Sequence, residues 1–162
     1  MRSTSFISLV AALMVWCSQA LAQTNPHADL KLNSYTYFKG LSHEKITELC
    51  DSGSGLGTRD IFFCQKHIFE AAQEELQFQY KQALALQSKH DKNLFVKATP
   101  ALMESQKYWL LYRNKACDYL YFSSGGGDPS RGGGSGVPSE YITCMTDMTN
   151  QRIKELTETG SQ

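Results

Sequence analysis

The chain has 162 residues, 41% of them hydrophobic and 20% charged, which is enough for one domain with a packed core and excludes a disordered or collagen-like chain. Lys+Arg and Asp+Glu both number 16, so bulk charge excludes a strongly basic nucleic-acid binder. The five cysteines raise the question of compartment.

The N-terminus answers it. Arg2 precedes an apolar run from Phe6 to Trp16, and Ala20-Leu21-Ala22 ends the segment with the small-x-small pattern of a signal-peptidase site. Residues 1–22 read as a secretory signal peptide. The run is short for a membrane span, so no span is expected in the mature chain, although an uncleaved anchor is the rival reading. Cys17 is preceded by Met14-Val15-Trp16, which is wrong for a lipoprotein signal. Cleavage removes Arg2 and Cys17, leaving a net charge of about −1 and the cysteines Cys50, Cys64, Cys117 and Cys144. In an exported, periplasmic or secreted protein an even set implies disulfides. Three pairings are open; the local one, Cys50–Cys64 and Cys117–Cys144, is the simplest. No CxxC pair occurs, which argues against a thioredoxin-like or zinc-ribbon site.

Residues 23–41 are polar and read as a flexible N-terminal arm. Ser42 is placed to cap a short helix to about Leu49. The Asp51–Thr58 stretch, with glycines at alternate positions, is a loop without the GxGxxG spacing of a phosphate cradle.

A long helix is predicted from about Arg59 to Lys89 with Asp60 as its cap. Cys64, Ile68, Ala72, Leu76, Tyr80 and Leu84 recur every four residues as one stripe, widened by Ala71, Ala83 and Leu86. Glu70, Glu74, Glu75 and Lys81 fall off that stripe and are expected to face water. His90 to Ala98 turns the chain. Thr99-Pro100 then reads as a cap followed by proline at the first helical position. The second long helix reaches about Phe122, with Leu102, Gln106, Trp109, Arg113 and Cys117 as its stripe.

Ser123–Pro138 is glycine-rich and reads as a mobile surface loop carrying Arg131. A third helix, from about Ser139 to Thr159, has the stripe Tyr141, Cys144, Met148, Arg152 and Leu156, and Gly160 stops it. No sheet is expected. The fold class is all-α: a small disulfide-stapled bundle, with a long antiparallel helical hairpin and a third helix beside it over residues 42–159. Each local bridge stabilises such a small core by about 3–4 kcal/mol in the chain-entropy model.

The segment ALMESQKYWLLYRNKAC, with Leu102, Gln106, Trp109, Arg113 and Cys117 in register, resembles the signature of the lysozyme inhibitor LprI-like N-terminal domain family. Cys144, Met148, Thr149, Arg152 and Leu156 look like its closing helix, and Cys64 followed by Ala72, Leu76 and Tyr80 like its first. Gln65-Lys66 stands where the family often has Ala or Cys-Ala, and the glycine loop is unusually long. The resemblance implies an exported, disulfide-stapled helical protein. One branch of the family binds and inhibits lysozyme.

No catalytic constellation is found, and no cofactor or metal is expected. The histidines His27, His43, His67 and His90 form no ligand motif and read as surface residues. No Gly-x-Ser-x-Gly elbow is present. Glu74 and Glu75 adjoin on one face and cannot flank a substrate as glycoside hydrolysis requires. Trp109 and Arg113 at i, i+4 read as structural, the arginine packing on the indole and pairing with a carboxylate of a neighbouring helix. Arg152 and Thr149 take the same reading, and Gln106 is expected to satisfy a buried polar partner. Two contact surfaces for a protein partner, a lysozyme first of all, are candidates. One is the glycine loop with Arg131, reaching toward the carboxylates of a glycosidase cleft, against the plain reading of a tolerated insertion. The other is an acidic, aromatic outer side of the hairpin formed by Glu70, Glu74, Glu75, Tyr108 and Tyr112, steering a basic enzyme. A periplasmic interaction or immunity module for a different protein, without lysozyme inhibition, is the alternative.

Overall fold

A computed structural model of the chain describes residues 33–93, 97–126 and 137–159. The signal-peptide reading, residues 23–32 of the arm and Arg131 lie outside the described residues. Among the described residues five α-helices follow in order: α1 Ser34–Tyr37, α2 His43–Ser52, α3 Thr58–His90, α4 Ala98–Ser123 and α5 Val137–Thr159. A 3₁₀ turn, Asp91–Asn93, follows α3. No strand occurs among the described residues, and the all-α class is as expected.

The termini follow from local chemistry, with some changes of assignment. Ser42 caps α2 as predicted, its Oγ accepting from the amide of Lys45, and Gly53 ends the helix in the left-handed region at φ 60°. Helix α3 starts one residue before the expected Arg59, with Gly57 as its N-cap. Asp60 is therefore not the cap but the third helical residue, and its carboxylate accepts from the Gly57 amide at 2.8 Å. Helix α4 begins at Ala98, so Thr99 and Pro100 are its second and third residues rather than cap and first position. The amides they were to protect are taken by Asp91, seven and eight residues upstream: its two oxygens accept from Ala98 and Thr99 at 2.7 and 2.8 Å. The far end of α4 closes in a Schellman arrangement, with Gly125 donating to Phe122 and Gly126 to Tyr121. Gly125 has φ 87°, and a Cβ on Gly126 would stand 2.5 Å from the Tyr121 ring. These two glycines of the rich stretch are thus a built helix end.

The bundle departs from a simple hairpin. α5 carries the main packing, against α3 above all and also against α4, while α3 and α4 touch each other over a smaller area. Ala72, Leu76, Cys117, Tyr141, Ile142, Met145 and Leu156 form this interior. Ile68, expected on the buried stripe, is 54% exposed, and Phe69 is buried instead. Cys64 packs into a separate core with Phe38, Ile46 and Phe63, whereas Phe69, Ala72 and Leu76 share a face further along α3, and Ile68 falls between the two faces. Ile142 and Met145, missed by the predicted stripe of α5, are buried because that helix faces two neighbours.

The expected arm is also corrected over residues 33–41. Ser34 is 1% exposed and Phe38 is buried. Phe38 joins Ile46, Phe63 and Cys64 in a small core around the first disulfide. The Tyr37 ring lies flat on Phe63 with centroids 3.7 Å apart. Its hydroxyl donates to Asp60 at 2.6 Å, which raises the Tyr37 pKa and lowers that of Asp60. Burial of apolar rings plus this bond anchors a segment that its polar composition had marked as loose. The bridges are Cys50–Cys64 and Cys117–Cys144, the local pairing.

Candidate functional site

The five polar and aromatic residues of the α4–α5 signature converge on one seam. Arg113 donates through Nη1 to the hydroxyl of Thr149 at 3.0 Å and through Nε and Nη2 to the amide oxygen of Asn114. Thr149, fully buried, donates its own hydroxyl to the Met145 carbonyl. Two turns nearer the start of α4, Arg152 donates through Nε to Gln106 Oε1 at 3.0 Å and through Nη2 to Ser105. Its Nη1 pairs with Glu155 at 2.9 Å. Trp109 sits between the two cations, with Arg113 5.2 Å and Arg152 6.0 Å from its centroid. Arg113 also stands 5.6 Å from the Phe69 ring, tying α3 to the seam.

The structure brings these residues together on one seam, with one change from the expected pairing. The hydrogen bonds of Arg113 go to a hydroxyl and an amide oxygen, not to a carboxylate. Burial lowers its pKa below the ordinary guanidinium range, the neighbouring Tyr141 working the other way. Two aromatic faces and neutral acceptors satisfy the guanidinium where a buried carboxylate would itself need desolvation. Arg152, nearer the surface, does take a carboxylate, from its own helix. The Cys117–Cys144 bridge closes the end of the seam.

The second polar cluster lies where α1 and α2 meet α3. The Ser34 hydroxyl donates to Glu70 Oε2 at 2.5 Å, and its amide points at the same carboxylate. The Ser34 hydroxyl also lies 3.2 Å from His67 Nδ1. On the other side of the ring, Nε2 lies 3.2 Å from the Thr47 hydroxyl, which itself donates to the His43 carbonyl at 3.0 Å. The His43 ring lies 4.3 Å from that of His67. Burial and His43 together lower the His67 pKa below 6.5, while Glu70, the His43 backbone and Glu74 act in the opposite direction. The expectation of surface histidines fails at this residue, which is 6% exposed. Nothing in its sequence spacing marks it, because its partners come from two short helices about 20 and 33 residues upstream. Lys66, also buried, has its pKa lowered by desolvation against the pull of Glu70.

This cluster floors an open depression of about 350 Å³ lined by Ser34, Tyr35, His43, Ile46, His67, Glu70, Ala71 and Glu74. Glu70 is not the free surface carboxylate expected; it is half-buried and holds Ser34. Glu74 and Glu75 are exposed. Tyr108 and Tyr112 are exposed as well, at 57% and 65%, but elsewhere. On α3, Glu74 and Glu75 lie about 120–140° around the helix from Phe69, which faces Arg113 of α4. Of the predicted acidic and aromatic set, Glu70 and Glu74 line the depression, and Tyr108 and Tyr112 stand exposed on α4. Among the described residues no group of three or more His, Cys, Asp or Glu is placed to hold a metal ion. No helix among them is long and apolar enough to cross a membrane.

With two bridges and a signature seam in place, the comparison with known families is decisive. The family model for lysozyme inhibitor LprI matches residues 50–156. The chain belongs to the LprI lysozyme inhibitor family. That span begins at the first bridged cysteine and ends at Leu156 of the buried interior, enclosing both disulfides and the whole seam. It begins after α1 and near the end of α2. A protein of Rhizobium meliloti (strain 1021), described only as uncharacterized, is 27% identical over 114 residues, covering 67% of this chain and 77% of its own length. No solved structure matches. The family is one of inhibitors of an enzyme, described for what they bind.

Proposed function

We propose that this LprI-family chain is exported, to a periplasm or beyond the cell, and there binds a cell-wall lytic enzyme of the lysozyme kind and keeps it from its substrate without chemistry of its own. The observation that carries the reading is the family match across the complete disulfide-stapled bundle. Electrostatics support a contact region: Glu70 and Glu74 line the depression beside α1 and Glu75 adjoins them. A concave acidic surface on a nearly neutral protein attracts a basic enzyme locally and accommodates a lysine or arginine side chain. Arg131, in the glycine-rich stretch, is a second contact, aimed at the carboxylates of the enzyme's cleft.

The test uses residues 23–162 made in an oxidising host. Inhibition of a c-type lysozyme is measured on dried cell walls, and binding by calorimetry. Stoichiometric inhibition is expected, weakened several-fold by Glu74→Gln with Glu75→Gln, by Arg131→Ala, and by added salt. Absence of both binding and inhibition overturns the proposal and leaves the family membership as a statement about fold.

A further inference from the structure

Helix α4 is apolar on both sides. Gln106, Arg113 and Cys117 are buried against the bundle. On the opposite side, Tyr108, Leu111, Tyr112, Tyr119 and Phe122 fall within an arc of about 100° and are 46–72% exposed. A helix of this kind is ordinarily covered on both faces, and a contiguous stripe of this size on a single chain marks an interaction surface.

We infer that this face is an isologous interface that pairs two copies of the chain, α4 against α4, antiparallel about a twofold axis at Tyr112. Two observations select a second copy. The first is area. An aromatic side chain presents about 150–250 Å² when fully uncovered, so the stripe offers on the order of 500 Å² per copy. Two copies bury about 1,000 Å², the size a specific pairing has to clear. The second is charge. The face carries Glu104, Lys107, Lys115 and Asp118, two of each sign, with Lys115 and Asp118 bridged at 3.8 Å. A balanced face gives a basic lytic enzyme nothing to follow, whereas it complements itself. Lys107 and Asp118 lie on the same flank of the helix, 11 residues apart. With the axis at Tyr112, Lys107 meets Asp118 of the second copy and Asp118 meets Lys107 of the second copy. Tyr108 then lies beside Tyr119 of the second copy, and the two Tyr112 rings meet at the centre. Self-complementarity of this form is what a twofold interface requires.

Sedimentation of the disulfide-bonded full chain over a micromolar concentration series tests this. A monomer–dimer equilibrium is expected. Tyr112→Glu places two charges at the axis and is expected to weaken dimerisation at least tenfold with helix content unchanged by circular dichroism. Lys107→Asp and Asp118→Lys are each expected to weaken it, and the double variant to recover most of the loss. A chain monomeric throughout the series overturns the inference, as does a dimer indifferent to Tyr112→Glu. It is also overturned if the chain stays monomeric and Tyr112→Glu abolishes enzyme inhibition, which assigns the face to the enzyme instead.

Discussion

The Ser34 hydroxyl donates to the carboxylate of Glu70, 36 residues away in sequence, at 2.5 Å between α1 and α3. This contact, with the stacking of Tyr37 on Phe63, is what holds the segment before α2. Ser34→Ala leaves the Glu70 carboxylate without that donor, and a hydrogen bond to a charged group contributes about 1.5–3 kcal/mol. The expected outcome is a lower urea midpoint at unchanged slope, with faster proteolysis ahead of Ser42. An unchanged cleavage rate would show that α1 is held by its apolar contacts alone.

The same cluster makes stability depend on pH. The His67 pKa lies below its ordinary value of about 6.5 because of burial and His43, partly opposed by Glu70, the His43 backbone and Glu74. As pH falls through about 6.5 the unfolded chain takes up a proton that the native ring still refuses. The unfolded state then binds more protons, so stability is full above that pH and declines as pH drops toward the native-state value. Asp60 and Asp91, whose native pKa values are lowered, lose their contribution only at more acidic pH. Melting temperatures between pH 7.5 and 5 should fall for the native sequence and flatten for His67→Gln. Equal slopes in the two proteins would sink this assignment.

Much of this was legible in the sequence, for a physical reason. Cys117, Arg113 and Gln106 recur at helical spacing on one uninterrupted segment, and Cys144, Met148 and Arg152 do so on another, so periodicity sets each stripe inward, while Thr149 is marked by the family resemblance. The local disulfide pairing follows from cysteines at the ends of adjacent helices. Long-range polar contacts could not be read. Asp91 caps a helix seven residues away, and His67 is enclosed by two short helices whose docking no local pattern encodes. Nor does local pattern place Glu74 at the depression beside α1, whose lining comes from three helices.

At the seam, Thr149→Val keeps volume and removes the acceptor of Arg113 Nη1. The guanidinium stays buried with one donor unsatisfied, which costs about 1–3 kcal/mol. Arg113→Met removes the charge and keeps much of the packing on Trp109 and Phe69. In a double-mutant cycle by chemical denaturation the pair should be less destabilising than the sum of the singles. Strict additivity would mean that the two groups do not share a bond in solution.

Lys39 closes α1 with φ 54°, in the left-handed region where every other described residue of positive φ is glycine. Its amide donates to Thr36, and that of Gly40 to Tyr35. The left-handed conformation costs a side-chain-bearing residue about 1–2 kcal/mol, and glycine's unfolded-state entropy gives back about 0.5–1 of that on substitution. Lys39→Gly is therefore expected to stabilise by up to about 1 kcal/mol. Lys39→Val, β-branched, should destabilise at the same position. A glycine variant less stable than the parent in denaturant would show that the lysine side chain contributes more than its backbone costs.

The two bridges differ in what they close. Cys50–Cys64 spans 14 residues and Cys117–Cys144 spans 27. Doubling a loop adds about 0.6 kcal/mol to its closure entropy, so chain entropy alone makes the second bridge slightly the stronger of two that contribute about 3–4 kcal/mol each. Packing widens the gap. Cys50–Cys64 borders a satellite core of α1, α2 and the start of α3. Cys117, fully buried, fixes the register of α4 on α5, on which Trp109, Arg113, Thr149 and Arg152 all depend. Cys117→Ser with Cys144→Ser should therefore lower the melting temperature further than Cys50→Ser with Cys64→Ser, and it alone should disturb the near-ultraviolet signal of Trp109. Equal losses, with that signal intact in both, would show that the seam holds its register without the covalent link.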